Sequence, residues 1–191
     1  MNNSEIAIQD TQRWLERAVI GLNLCPFAKA VHIKDLVRYV VSEATTAAEL
    51  LVDLKNELNS LAIMDAAGVS VAYDTTLLIA PNCLHDFLDF NDFIGKADKL
   101  LDKMKLEGTI QLANFHPRYQ FAGTEPDDIT NYTNRAPYPT LHLLRESSID
   151  QAVEAFPEAE AIFEVNMATM ERLGLKGWDE LQVGATLNDT L

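Results

Sequence analysis

The chain is poor in the features that would tie it to membranes, nucleic acids or an oxidising compartment. It has two cysteines in 191 residues, Cys25 and Cys83, which form neither a CxxC pair nor a dense framework. The expectation is a cytoplasmic protein with both thiols reduced. Basic residues are scarce: 15 Lys and Arg stand against 29 Asp and Glu, a net charge of −14. That balance argues against the broad phosphate neutralisation of non-specific nucleic-acid binding and against adhesion to an anionic membrane surface; it favours solubility. No apolar run approaches the ~18 residues of a transmembrane helix. The opening MNNSEIAIQDTQRW lacks the basic-then-apolar order of a secretory signal. A Gly-rich phosphate loop, a GxSxG elbow, a dinucleotide fingerprint and an HExxH pair are all missing, so ATP-driven, nucleophile-elbow hydrolase and NAD-dependent readings lose most of their support.

What is present is an ordinary globular composition, 48% hydrophobic and 23% charged. A chain of this length buries enough surface to fold without disulfides or metal. Neither repeats nor a Gly/Ser linker divide it, and a single domain over residues 1–186 with a flexible tail at 187–191 is expected. Apolar spacing of three and four predicts helices over 5–22, 46–63 and from Asp86 or Asp89 to Lys105, the last closed by Gly108. A further helix opens at Pro157 and ends at Gly174. Ser4 is the expected cap of the first helix, and Pro26 the start of a short turn after it. Strands are expected at Leu36–Val41, Thr76–Ala80, Thr109–Phe115 and Thr140–Leu144. This order predicts an α+β fold: one mixed sheet of about four strands covered by helices, with a helix at each end of the chain.

Between the last two strands runs a stretch of about two dozen residues holding four of the seven prolines. Loops this long inside a compact domain are usually functional or disordered. From Gly108 to Arg145 the bases are all arginine (Arg118, Arg135 and Arg145), balanced by Glu125, Asp127 and Asp128. Arginine presents a planar fork suited to carboxylate or phosphate, so three converging arginines would form an anion site. The bland alternative is that they pair with Glu125, Asp127, Asp128 and Glu146 to pin the loop. Asn134 and Tyr138, in the polar-then-rigid segment Asn131–Pro139, are further candidate binding residues. His116 and His142 are candidate general acids or bases because an imidazole titrates near neutrality. Cys25 joins them as a candidate nucleophile if Pro26 starts a helical turn, since a helix N-terminus stabilises a thiolate. The opposing reading makes Cys25 an inert small hydrophobe; Cys83, His32 and His85 are read as structural or surface residues.

Three ordered motifs carry a resemblance: Gly21-Leu22-Asn23-Leu24-Cys25-Pro26-Phe27-Ala28, then Phe115-His116-Pro117-Arg118-Tyr119-Gln120-Phe121, then Thr133-Asn134-Arg135-Ala136-Pro137-Tyr138-Pro139 leading into His142-Leu143-Leu144-Arg145-Glu146. Together they resemble the domain-of-unknown-function 1415 family, small uncharacterised proteins of bacteria and plants. The resemblance spans nearly the whole chain and implies a self-contained domain, with no activity or cofactor attached. Ala136 stands where the resemblance implies a serine, so no hydroxyl is available there.

Three functions remain in view. One is an enzyme on a small anionic metabolite, with Arg118, Arg135 and Arg145 orienting it and His116, His142 or Cys25 doing chemistry. This reading requires Cys25, His116 and His142 to meet in one pocket. The second is a non-catalytic module holding a small anion or an acidic peptide on the same arginines. The third is a metal protein using Cys25, His116 and His142, although no pair has familiar ligand spacing. Nucleic acid and membrane are not expected partners, and no motif points to a cofactor or to an oligomeric state.

Overall fold

The computed structural model describes residues 2–66, 73–154 and 161–187. Helix α1 spans Asn3–Trp14, and a π-helical segment Leu15–Ile20 continues it. There follow α2 (Ala28–Ile33), β1 (Val37–Val41), α3 (Ala47–Ala66), β2 (Thr75–Ile79), α4 (Phe87–Lys103) and β3 (Ile110–Phe115). A 3-10 turn at Ile129–Asn134 precedes β4 (Thr140–Arg145), α5 (Glu146–Glu154) and α6 (Ile162–Glu180). The four strands form one mixed sheet in the order β1-β2-β4-β3, with helices at both ends of the chain, and the fold is α+β.

Strands β1 and β2 run parallel, Val37 beside Thr75 and Val41 beside Ile79. A parallel pair needs a long crossover, and α3 lies within it. β4 inserts antiparallel between β2 and β3, with Thr140 opposite both Ile79 and Phe115. The carboxyl ends of β1, β2 and β3 therefore meet the start of β4 at one end of the sheet. The long loop 116–139 and the N-terminus of α4 stand at that same end.

Alternation along the strands divides the core into two layers. Leu78, Leu141 and Leu143 face α3 and α4, packing with Leu50, Leu54, Leu58, Leu61, Phe90, Phe93 and Ala97. The four α3 leucines have no solvent exposure and recur at the expected helical spacing. On the opposite face, Val37, Tyr39 and Phe115 pack with Trp14, Leu15, Ala18 and Val19, and the Trp14 and Phe115 rings meet edge to face at 5.0 Å.

Several boundaries differ from expectation. Asn2, not Ser4, caps α1: its side chain accepts from Glu5 N at 2.8 Å while the Glu5 carboxylate accepts from Asn2 N at 2.9 Å. The Ser4 hydroxyl instead donates to Glu43 at 2.8 Å. The expected helix 5–22 changes to wider π geometry at Leu15, a bonding pattern that re-aims the following side chains. Gly21 N closes it on Glu16 O at 2.9 Å. A Cβ on Gly21 would lie 2.2 Å from Arg17 O, so this turn has no room for a larger residue. The helical segment α5 was not expected, because Glu146 follows β4 without a break. Gly174 does interrupt α6: at φ 66° and ψ 172° it is non-helical, and a second short helical stretch follows it. The expected helix start at Pro157, and all of the expected tail except Leu187, lie outside the described residues.

Leu54→Ala should lower unfolding free energy by about 3 kcal/mol, within the 2–5 kcal/mol typical of buried leucines. Val52→Ala, at a position 58% exposed on the same helix, should change it by less than about 0.5 kcal/mol. Urea unfolding of the two variants checks the assigned faces.

Candidate functional site

The two arms of the long loop are joined at the sheet end. His116 N, just past β3, donates to Asn134 O at 3.2 Å. Asn131 staples the loop's interior: fully buried, its Oδ1 accepts from Phe121 N at 2.9 Å and from the Thr124 hydroxyl at 2.8 Å, and its Nδ2 donates to Glu125 O at 2.8 Å. Asp128 caps the 3-10 turn by accepting from Thr130 N at 2.8 Å and the Thr130 hydroxyl at 2.7 Å. These bonds satisfy polar groups that a buried loop would otherwise leave unpaired.

Closing the arms brings Arg118 and Arg135 onto one cleft of about 440 Å³, walled also by Asp86, Phe87, Leu88, Gln120 and Pro126. Each guanidinium is anchored by carbonyls. Arg118 Nη2 donates to His85 O at 2.5 Å; Arg135 donates to Tyr119 O at 3.2 Å and Pro126 O at 2.6 Å and lies 4.0 Å over the Tyr132 ring. The ion pairs formed among the described residues include no carboxylate for either. The alternative, pairing with the loop's own acids, is therefore not formed by these two arginines. Burial lowers the Arg135 pKa from its ordinary value, yet a guanidinium remains charged in this range.

Arg145 does not join them. It sits at the far end of β4 beside Ile110, five residue steps or roughly 17 Å along the strand from Thr140. There it is 3% exposed and 3.7 Å from Asp74. Tyr138 is also elsewhere, buried with its hydroxyl donating to Asp10 at 2.7 Å. Asn134 helps join the arms through its backbone carbonyl, and its side-chain amide faces Asn114 O at 3.5 Å.

The candidate catalytic residues are dispersed as well. His116 is buried against Phe87 and Phe90, with ring centroids 5.4 and 5.0 Å away. Its Nδ1 accepts from Arg118 N at 3.0 Å and its Nε2 donates to Leu84 O at 3.0 Å. Both nitrogens are thus committed to backbone. Burial is the main cause of a pKa lowered to about 4, opposed by the bond to Leu84. His142 projects from the other face of the sheet, 6.2 Å from Phe115. The Thr75 hydroxyl donates its one proton to Leu143 O at 2.7 Å, which assigns the His142 ring proton to Nε2, donating to the Thr75 hydroxyl oxygen at 2.5 Å. Burial lowers its pKa to about 4 also.

Cys25 packs with the Trp14 layer, on the side opposite His116. Phe27, not Cys25, precedes α2, and the backbone carbonyl of Cys25 accepts from Ala28 N at 3.2 Å. The thiol accordingly lacks the helix-cap position that would activate it. Among the described residues no three His, Cys, Asp or Glu side chains gather as a metal would require.

Sequence reading missed three groups: Asn131, the wall formed by Asp86, Phe87 and Leu88, and Asp10. The last is 1% exposed and accepts from Tyr138, Thr186 and Arg13. Burial alone would raise the Asp10 pKa, but these bonds outweigh it and hold the carboxyl below its usual value. A visible signal existed, since Asp10 falls between Ala7 and Trp14 on the helical spacing of the buried face.

The His116 shift has a sign that can be checked. An unfolded chain takes up this proton near pH 6.5 and the native state only near pH 4, so falling pH favours the unfolded state across that window. Stability should drop by about 2 kcal/mol between pH 7 and pH 5 on this account. His116→Gln should start less stable at pH 7 and lose less on acidification, as urea titrations at the two pH values would report. In Asn131→Ala the Phe121 N–H and Glu125 carbonyl lose their partner, an expected cost of about 1–3 kcal/mol per group, measurable by the same method.

A family model described as "Protein of unknown function (DUF1415)" matches residues 6–180. No curated protein and no solved structure matches the chain. Among the described residues no helix is long and apolar enough to cross a membrane. With the three motifs falling on β3, the long loop, β4 and the segment ahead of α2, the chain belongs to the domain-of-unknown-function 1415 family.

Proposed function

We propose that the cleft between Arg118 and Arg135 binds a small anion, a carboxylate or a phosphate, and that the protein serves as a cytoplasmic binding module for it. The observation that carries this reading is the pair of guanidinium groups on one cleft, anchored by carbonyls with no carboxylate partner among the described residues. A carbonyl fixes an arginine without cancelling its charge. In a chain of net charge −14, such a spot is a local positive site.

Binding is favoured over catalysis because the imidazole next to Arg118 has neither nitrogen available for proton transfer. His142 and Cys25 pack on the other face of the sheet. The metal reading needs clustered ligands that the described residues do not form.

Thermal denaturation in sodium phosphate or acetate, against chloride at equal ionic strength, tests the proposal. At about 100-fold excess over Kd the wild type should gain about 2.7 kcal/mol, a Tm rise of roughly 5–10 °C for a chain this size. Arg118→Gln should fold, since the side chain is exposed and makes one carbonyl bond, and should lose that rise with the charge. His142→Gln should keep it. Retention in Arg118→Gln with loss in His142→Gln would reverse the assignment.

A further inference from the structure

We infer that the ligand of this cleft is a monoanionic carboxylate carrying an apolar body, aromatic or branched, in preference to a bare inorganic anion or a polyphosphate. The inference rests on the anion-binding reading above and names the chemistry that reading leaves open.

The first ground is the apolar part of the lining. Phe87, Leu88 and Pro126 line the same cleft as the two arginines. Leu88 is 72% exposed, an apolar side chain that the fold itself does not bury. The Phe87 ring packs against Tyr119 at a tilt of 56°, centroids 5.2 Å apart, which holds that part of the lining in place. An apolar surface beside fixed cations suits a ligand with both characters, as small-molecule sites usually combine a mostly apolar lining with a few placed polar groups.

Size points the same way. At about 440 Å³ the cleft lies within the range of organic-ligand sites and exceeds what a single phosphate would fill.

Charge limits the anion. Asp86 lines the cleft, and its carboxylate already accepts from Leu88 N and Asp89 N at 2.9 and 3.2 Å. Those α4 amides are therefore satisfied, and the guanidinium N–H groups are the charged donors of the cleft. The Asp86 charge and the surrounding field of a −14 chain oppose each further negative charge on the ligand. A carboxylate matches the planar guanidinium fork with one charge; a polyphosphate brings several.

Calorimetric titration of the full-length chain with phenylacetate, acetate, inorganic phosphate, pyrophosphate and the neutral 2-phenylethanol separates the possibilities. Phenylacetate should bind about tenfold or more tighter than acetate or phosphate, the scale of burying a few CH₂-sized groups. Leu88→Ser should remove most of that advantage while leaving acetate unchanged, and Arg118→Gln should weaken both carboxylates. If phosphate or pyrophosphate binds tightest and depends on Arg118, the anion site stands and the apolar-body inference falls. That inference falls equally if Leu88→Ser leaves phenylacetate affinity intact. If no anion binds in an Arg118-dependent way, or 2-phenylethanol matches phenylacetate, both readings fall.

Discussion

At the end of β3 the His116 ring uses one nitrogen to hold the Leu84 carbonyl and the other to receive the Arg118 amide, while its faces rest on Phe87 and Phe90. Its own backbone amide reaches Asn134 across the loop. Four separate pieces of chain are thereby fixed to one residue: the turn after β2, the start of α4, and both arms of the long loop. The bonds require a neutral imidazole with its proton on Nε2, and burial supplies that state by disfavouring the charged form. The cleft exists because these pieces are held together. Arg118 is two residues from the ring, and Arg135 directly follows the residue whose carbonyl closes the second arm.

The electrostatics of the cleft follow from the same architecture. Loop arginines in an acidic chain would ordinarily find carboxylates, and such pairs are worth little at a surface. Here the turn ahead of α4 presents a carbonyl at His85, and the folded loop presents carbonyls at Tyr119 and Pro126 instead. Partial charges of that kind set direction without neutralising the cation. Of the acids of the loop, Asp128 caps the 3-10 turn, and among the described residues neither Glu125 nor Asp127 forms an ion pair with Arg118 or Arg135. By contrast, the buried acid Asp10 serves α1 and the segment near Thr186, with Tyr138 and Thr186 among its donors. Polar groups on the same short stretch of sequence thus go to two unrelated purposes.

How much was legible depends on whether the signal is local. The leucines of α3 and the apolar face of α4 repeat at helical spacing, and each had its period visible in one segment; both lie where expected. The four strands and their mixed sheet were likewise readable from short apolar runs bounded by turns. The π segment at Leu15–Ile20 was not, because an i→i+5 pattern differs from a helical one by a single residue of register and leaves no separate mark in composition. α5 was missed because nothing polar or helix-breaking intervenes between β4 and Glu146. Asn131 looked like one polar loop residue among several, and its burial comes only from contacts made across the closed loop.

Local sequence therefore determined the long helices, the four strands and their order, the proline-rich loop between β3 and β4, and the restriction of that segment's bases to arginine. Periodicity and turn chemistry are properties of neighbours along the chain, so they need no fold to be read. Tertiary structure decided which of those residues meet. Six residues of β4 carry Arg145 away from Arg135, because a strand extends its side chains along a line where a loop can gather them. The pleat sends His142 to one face while His116 packs on α4 beyond the other. Closure of the loop on Asn134 and Asn131 sets Arg118 beside Arg135, a proximity between residues seventeen positions apart that only the folded path of the chain creates.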